Sequence, residues 1–238
     1  MNNNYKTFSM IKYLSKDFYT IEELSCKANI SIEEIQQMIN SYLIPNYTYK
    51  ISCSISESSV LLGTLSAEDN NIEFYHNANL NWIERAKVVL TAKNNNYSEA
   101  SITLKEQMKQ RIYDLFLAHK SVFLGFQDLY DEKQNIVTSK FEEQFNFIYQ
   151  GWCNGTYGIC TKNPSDELHI FYKAAYQTLL NYLTECNSKT EYSPEEMQQV
   201  VNAANQYDHY VSEFTPLSFE ISSRNKFVNK YNHKKIVN

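Results

Sequence analysis

Phe141-Glu142-Glu143-Gln144-Phe145-Asn146-Phe147-Ile148-Tyr149-Gln150-Gly151-Trp152-Cys153-Asn154-Gly155 decides the fold class. Phe141, Phe145, Ile148 and Trp152 step by four, three and four, which lines large apolar side chains along one face of a helix. The helix is predicted to stop at Asn154-Gly155, because glycine takes the left-handed conformation beyond a C-cap without a Cβ penalty. The same period recurs on both sides. Met108, Ile112, Leu115, Phe116 and His119 share a face of a long helix whose pattern runs on toward Val122, Phe123 and Phe126, before a turn at residues 131–134. Asp166 opens another helix, with Leu168, Phe171, Ala175, Leu179 and Tyr182 inward. Ser193-Pro194-Glu195-Glu196 joins an N-cap, a proline at the first helical position and a glutamate at the third. Its helix is predicted to bury Met197, Val200, Val201, Ala204 and Tyr207. Pro216 breaks the chain, and Ser222 caps a last helix through Phe227, Val228 and Tyr231.

Toward the N-terminus the helices are shorter. Met10, Ile11, Leu14 and Phe18 follow helical spacing. Thr20-Ile21-Glu22-Glu23 and Ser31-Ile32-Glu33-Glu34 both have the form of a capping box, in which the hydroxyl accepts the amide three residues on and the glutamate returns to the cap amide. Ile21, Leu24 and Ala28 face inward from the first helix, which Asn29 stops. Ile32, Ile35, Met38, Ile39 and Tyr42 face inward from the second, which ends before Pro45. Two capped helices joined this closely make a helix-turn-helix shape. Residues 46–55 alternate loosely and read as one extended segment. Residues 56–66 and 68–71 read as loop. Leu80, Ile83, Val88 and Leu90, with Trp82, mark a further helix, and Asn94-Asn95-Asn96 is the best linker candidate. The expected fold is mainly α: a helix-turn-helix-like region at 1–55, a mixed connecting region at 56–93, and a multi-helix C-terminal domain at 97–238 packed with the first.

Composition narrows the function. The 238 residues are 43% hydrophobic and 21% charged, enough for a buried core. Net charge is −5, so the chain lacks the surplus of Lys and Arg that nonspecific nucleic-acid binding needs. No run approaches the roughly 18–20 apolar residues that cross a bilayer, and the first residues lack a signal-peptide-like apolar stretch. The expectation is a cytoplasmic protein with no membrane partner. Five cysteines at wide spacing, with no CxxC, read as buried, inert thiols rather than a disulfide framework. His76, His119, His209 and His233 form no HExxH-type ligand pair. No metal and no cofactor is predicted, and no GxGxxG, GxxxxGK[ST] or GxSxG motif is present.

Three features hold candidate chemistry. Gly155-Thr156-Tyr157-Gly158-Ile159-Cys160-Thr161 joins two apolar helices with glycines three apart. As a ligand loop it brings backbone amides toward a small anion, making Gly155, Tyr157 and Gly158 candidate ligand-binding residues. As architecture, which we favour, Gly155 ends a helix and Gly158 permits a tight reversal. Cys160 and His169 are the candidate catalytic pair, if thiol and imidazole meet and a third group orients the ring. Arg224, beside Ser222 and Ser223, is a candidate anion ligand; its structural alternative is a pair with Glu213 or Glu220. Residues 191–220 carry six acidic residues and no Lys or Arg, whereas residues 221–238 carry five basic residues and no acid. That basic tail is expected to be solvated or docked on the acidic helix before it. DNA binding is disfavoured. Gln36, Gln37 and Asn40 are able to read adenine edges, but Glu33 and Glu34 face any approaching phosphate. Residues 1–55 hold five basic and five acidic residues.

Two stretches carry a family likeness. One is Tyr13-Leu14, Phe18-Tyr19-Thr20, Glu23-Leu24 and Leu43-Ile44-Pro45 leading to Tyr49. The other runs from Trp152 through Thr161 and continues in Ser222-Ser223-Arg224, Val228 and Tyr231. Together they resemble an uncharacterised bacterial domain-of-unknown-function family sometimes labelled "natural product biosynthesis protein". The resemblance implies a bacterial protein in a secondary-metabolite pathway and supplies no reaction, cofactor or catalytic residue. The expected function is therefore an accessory protein that binds a small molecule or a protein partner. Its rivals are a helix-turn-helix transcription regulator with an effector pocket and a small-molecule enzyme with a site near residues 153–169.

Overall fold

The computed structural model describes residues 10, 12–53, 56–59, 63–66 and 70–231. The protein is mainly α with a small antiparallel sheet. After a helical turn at residues 12–17, the chain runs β1 (Phe18–Tyr19), α1 (Ile21–Ala28), α2 (Ile32–Asn40), β2 (Tyr49–Cys53), β3 (Ser56–Ser59), β4 (Gly63–Ser66) and β5 (Asn70–His76). The helices α3 (Asn79–Ala92), α4 (Tyr97–Ala118), α5 (Thr138–Cys153), α6 (Thr156–Cys160), α7 (Glu167–Leu183) and α8 (Pro194–Tyr210) follow. A 3-10 segment (Lys120–Leu129), kinked at Phe126, links α4 to α5, and a π-helix (Arg224–Asn229) lies near the C-terminus.

Local chemistry sets the helix ends. Thr20, Ser31 and Ser193 each complete a capping box with the glutamate three residues on, satisfying amides that a helix start leaves unpaired. Asn29 closes α1 in the left-handed conformation. The Asn94-Asn95-Asn96 trio forms a tight turn: Asn94 and Asn95 have φ of 51° and 60°, and the Asn96 side chain caps α4.

β2 falls within the segment expected to be extended, Phe18 enters β1 instead of continuing the helical spacing before it, and β3, β4 and the start of β5 lie where loop was expected. β5 pairs antiparallel with β1 on one side and with β2 on the other, in the register Tyr49↔Phe74 and Ile51↔Ile72. β3 and β4 form a separate hairpin. Residues 56–66 read as loop because their polar run lacks the apolar alternation by which a half-buried strand is recognised.

Two apolar clusters form the core. The larger joins residues of α1 and α2 to α3, α4, α5 and the first half of α7, with Trp82 set edge-on to Trp152. The smaller joins the second half of α7 to α8 and the π-helix, around Leu180, Tyr207 and Tyr231. Several inward expectations fail. Tyr42, Val88, Leu168 and Tyr182 are exposed: Val88 lies off the face that α3 buries, Leu168 and Tyr182 lie past the two ends of the buried stripe Phe171, Ala175 and Leu179, and Tyr42 follows the end of α2 in a left-handed turn. His119 ends α4 as its C-cap instead of continuing its face, and the side chains of Val122 and Phe123 lie outside the described residues, as do Lys234, Lys235 and His233. Cys26 and Cys186 are exposed rather than buried, since they sit on the outer side of α1 and in the turn after α7. Among the described residues no helix is long and apolar enough to cross a membrane.

Candidate functional site

The twin-glycine bend organises the centre of the molecule. Asn154 ends α5, and its side chain accepts hydrogen bonds from the Thr156 amide and hydroxyl. Gly155 follows at φ 75°, a conformation that costs a glycine little. The bend then forms the one-turn helix α6 where a simple reversal was expected. Gly155 packs against the backbone carbonyls of Asn46 and Tyr47, while the Asn46 amide donates to the Cys153 carbonyl at 3.0 Å. Gly158 packs against Thr48 and His76. Both glycines are thus occupied by close contact with the segment before β2 and the end of β5. Tyr157 is buried between them, and burial raises the pKa of its phenol.

Helix α7 supplies the polar lining beside this bend. Asp166 caps it, accepting from the His169 amide at 3.0 Å. Lys173, Gln177 and Asn181 stand four residues apart and so share one face. They line two clefts. One, of about 460 Å³, lies between α5, α6 and α7, with Gln144, Phe147 and Tyr157 in its wall. The other, of about 610 Å³, lies between α6, α7 and the C-terminal segment, with Cys160, Phe214, Ser222, Ser223 and Lys226 in its wall. Thr156, Lys173, Gln177 and Asn181 belong to both. Lys173 is only 7% exposed. Its ammonium lies 5.6 Å from the centre of the Tyr157 ring, and among the described residues it has no ion pair or side-chain hydrogen bond. No Asp or Glu lines either cleft among the described residues.

The sequence-predicted residues divide. Tyr157 lines the first cleft and Cys160 the second. The Cys160 thiol is buried and donates to the Thr156 carbonyl at 3.4 Å. His169 lines neither cleft: its Nδ1 lies 2.8 Å from Asp166 Oδ1, and its ring meets Tyr210 edge-on. Arg224 also lies outside both linings. It pairs with Asp208 at 2.6 Å and donates to the Val211 carbonyl at 3.2 Å, so its acid is neither Glu213 nor Glu220. Helix α8 presents Asp208 to the π-helix, a contact across elements that sequence proximity does not reveal. The two other arginines of the chain, Arg85 and Arg111, converge on the buried Glu167. Among the described residues no group of three or more His, Cys, Asp or Glu side chains is placed to hold a metal ion.

Lys173, Gln177 and Asn181 escaped the sequence reading. Their signal was present: Lys173 is the one Lys or Arg in α7, an otherwise largely apolar and aromatic helix, and two amides follow at helical spacing. No curated protein and no solved structure matches the chain. A family model does, over residues 105–235, a stretch holding α5, α6, α7 and the C-terminal wall of the second cleft. The match spans more than half of the sequence, and the chain belongs to this family of unknown function, DUF6058.

Proposed function

We propose that this chain is a binding protein that seats a small molecule in the clefts along α7, as an accessory component in a bacterial natural-product setting. The observation that carries the reading is the stripe Lys173, Gln177 and Asn181, shared by both clefts, with the lysine buried and unpaired by protein. Most of the Lys173 side chain is buried while its ammonium opens into the clefts without a protein carboxylate beside it, and a ligand seated on the stripe would supply that partner. The volumes lie in the range of small-molecule sites. Catalysis by a thiol–imidazole pair has less support, because Cys160 and His169 do not line one cleft. The second reading is a regulator that couples the same cleft to DNA, favoured only by Gln36, Gln37 and Asn40, which stay exposed on α2. All three arginines are engaged by protein carboxylates, which weighs against it.

A thermal-shift screen of a metabolite library tests the proposal, with hits repeated on a Gln177→Leu/Asn181→Leu variant. Hits that raise the melting temperature of the parent protein and fail on the variant support the reading. An absence of hits, or hits that bind the variant equally well, would overturn it. Fluorescence anisotropy with duplex DNA at low salt tests the regulator reading, which predicts saturable binding.

A further inference from the structure

We infer that the ligand of these clefts is a small oxyanion without a cationic group, with Lys173 as its charge partner and Lys226 at the rim. This rests on the binding reading above and names the chemical class of its ligand. The chain carries 27 acidic residues against 22 basic ones, yet the described lining of the two clefts reverses that balance, with two lysines and no carboxylate. An anion entering the clefts meets opposite charge. A free amino acid or a polyamine brings an ammonium group that finds no acid there, and a charge left unpaired on binding selects against its bearer.

The surroundings of Lys173 sharpen the class. One side of its ammonium faces the Tyr157 ring, an attraction that keeps the cation in place without neutralising it. Its hydrogen-bond donors stay available. Gln177 and Asn181 continue from it along the helix face; Gln177 Oε1 accepts from the Tyr207 hydroxyl at 3.4 Å, which turns its amide NH2, with the Asn181 amide, to the rest of the ligand. Polyphosphates favour several converging cations or a nest of amides. A single lysine whose ammonium reaches both clefts, with one more at the edge, fits a carboxylate or a phosphate monoester.

The test uses the full chain with its lysines reductively ¹³C-methylated, which keeps their charge and gives each its own NMR signal. The probes are succinate, its neutral analogue succinamide, inorganic phosphate and 1,4-diaminobutane. Saturable movement of the Lys173 signal is expected with succinate or phosphate, and the tighter of the two identifies carboxylate or phosphate as the source. Succinamide should bind more weakly by roughly tenfold or more, and diaminobutane should leave the signal in place. Lys173→Met should weaken the anion by roughly tenfold or more, and Lys226→Met by about threefold. Lys173→Gln is the second variant should the methionine form fail to fold, and the comparison among probes on the parent protein needs neither. The inference is wrong if succinamide binds within about twofold of succinate, if loss of Lys173 changes nothing, or if neither anion saturates. Library hits confined to neutral or cationic compounds would overturn the anion class while leaving the binding cleft intact.

Discussion

Gly158 stands directly on Thr48. A Cβ at the glycine would overlap the threonine hydroxyl, lie 3.1 Å from its methyl carbon and fall 3.2 Å from the Cβ of His76. With Gly155 held against the Asn46 and Tyr47 carbonyls, the bend fixes the helical C-terminal half to the sheet through two positions that have no room for a side chain. Gly158→Ala should therefore destabilise the fold by about 1–3 kcal/mol, the usual cost of overfilling a packed site. Thr48→Ala removes the obstructing atoms, so the double variant should lose less than the sum of the single ones. Urea denaturation of the four proteins measures this, and strict additivity would show that the contact is unimportant.

His76 should make stability depend on pH. Its Nδ1 accepts from the Ala78 amide at 3.0 Å, so the ring is neutral at that nitrogen, and its plane stands edge-on to Phe18. Burial lowers its pKa from 6.5 to about 4. Below 6.5 the unfolded chain takes up a proton that the folded one refuses. Stability is thus fully present above pH 6.5 and falls as the pH drops toward 4, by about 3 kcal/mol in all. Glu33, Asp131 and Glu196 have lowered pKa values through hydrogen bonds, the last chiefly from Lys189. They act below their ordinary carboxylate range, so the window from 6.5 to about 4.5 belongs to the histidine. His76→Asn keeps an acceptor for the Ala78 amide and should flatten the profile in that window. An equally steep profile in the variant would assign the dependence elsewhere.

Helices were legible because their signals are local. Thr20 with Glu23, Ser31 with Glu34, and Ser193 with Glu196 sit three residues apart, and the atoms that cap each helix are those the spacing brings together. The stripe Phe141, Phe145, Ile148 and Trp152 is buried throughout. β5 gave no such signal. Its sequence, Asn70-Asn71-Ile72-Glu73-Phe74-Tyr75-His76, is held by strands distant in sequence on both edges, at Phe18–Tyr19 and Tyr49–Cys53. Of the candidate site, Tyr157 and Cys160 were visible in the bend. Lys173 was not, because α7 is packed on more than one side, and periodicity marks a single apolar face. Arg224 was expected to find a carboxylate, but which one depends on how α8 and the π-helix cross.

Glu167 ties three helices at one buried point. It lies at the start of α7, 1% exposed, with Arg85 of α3 at 2.5 Å and Arg111 of α4 at 3.5 Å. Arg85 also lies over the Trp82 ring, 5.3 Å from its centre. Glu167→Ala leaves the partly buried Arg85 without its partner and should cost about 3 kcal/mol. Arg111 is 66% exposed on its side chain, so Arg111→Ala should cost less than about 1 kcal/mol. Glu167→Met combined with Arg85→Met replaces the pair by apolar groups of similar length and should recover much of the loss, since neither charge is then left without its partner. Denaturation curves for these variants separate the contributions. If Glu167→Ala costs no more than Arg111→Ala, the packing around Trp82 and Trp152, and not the ion pair, holds α7 against α3.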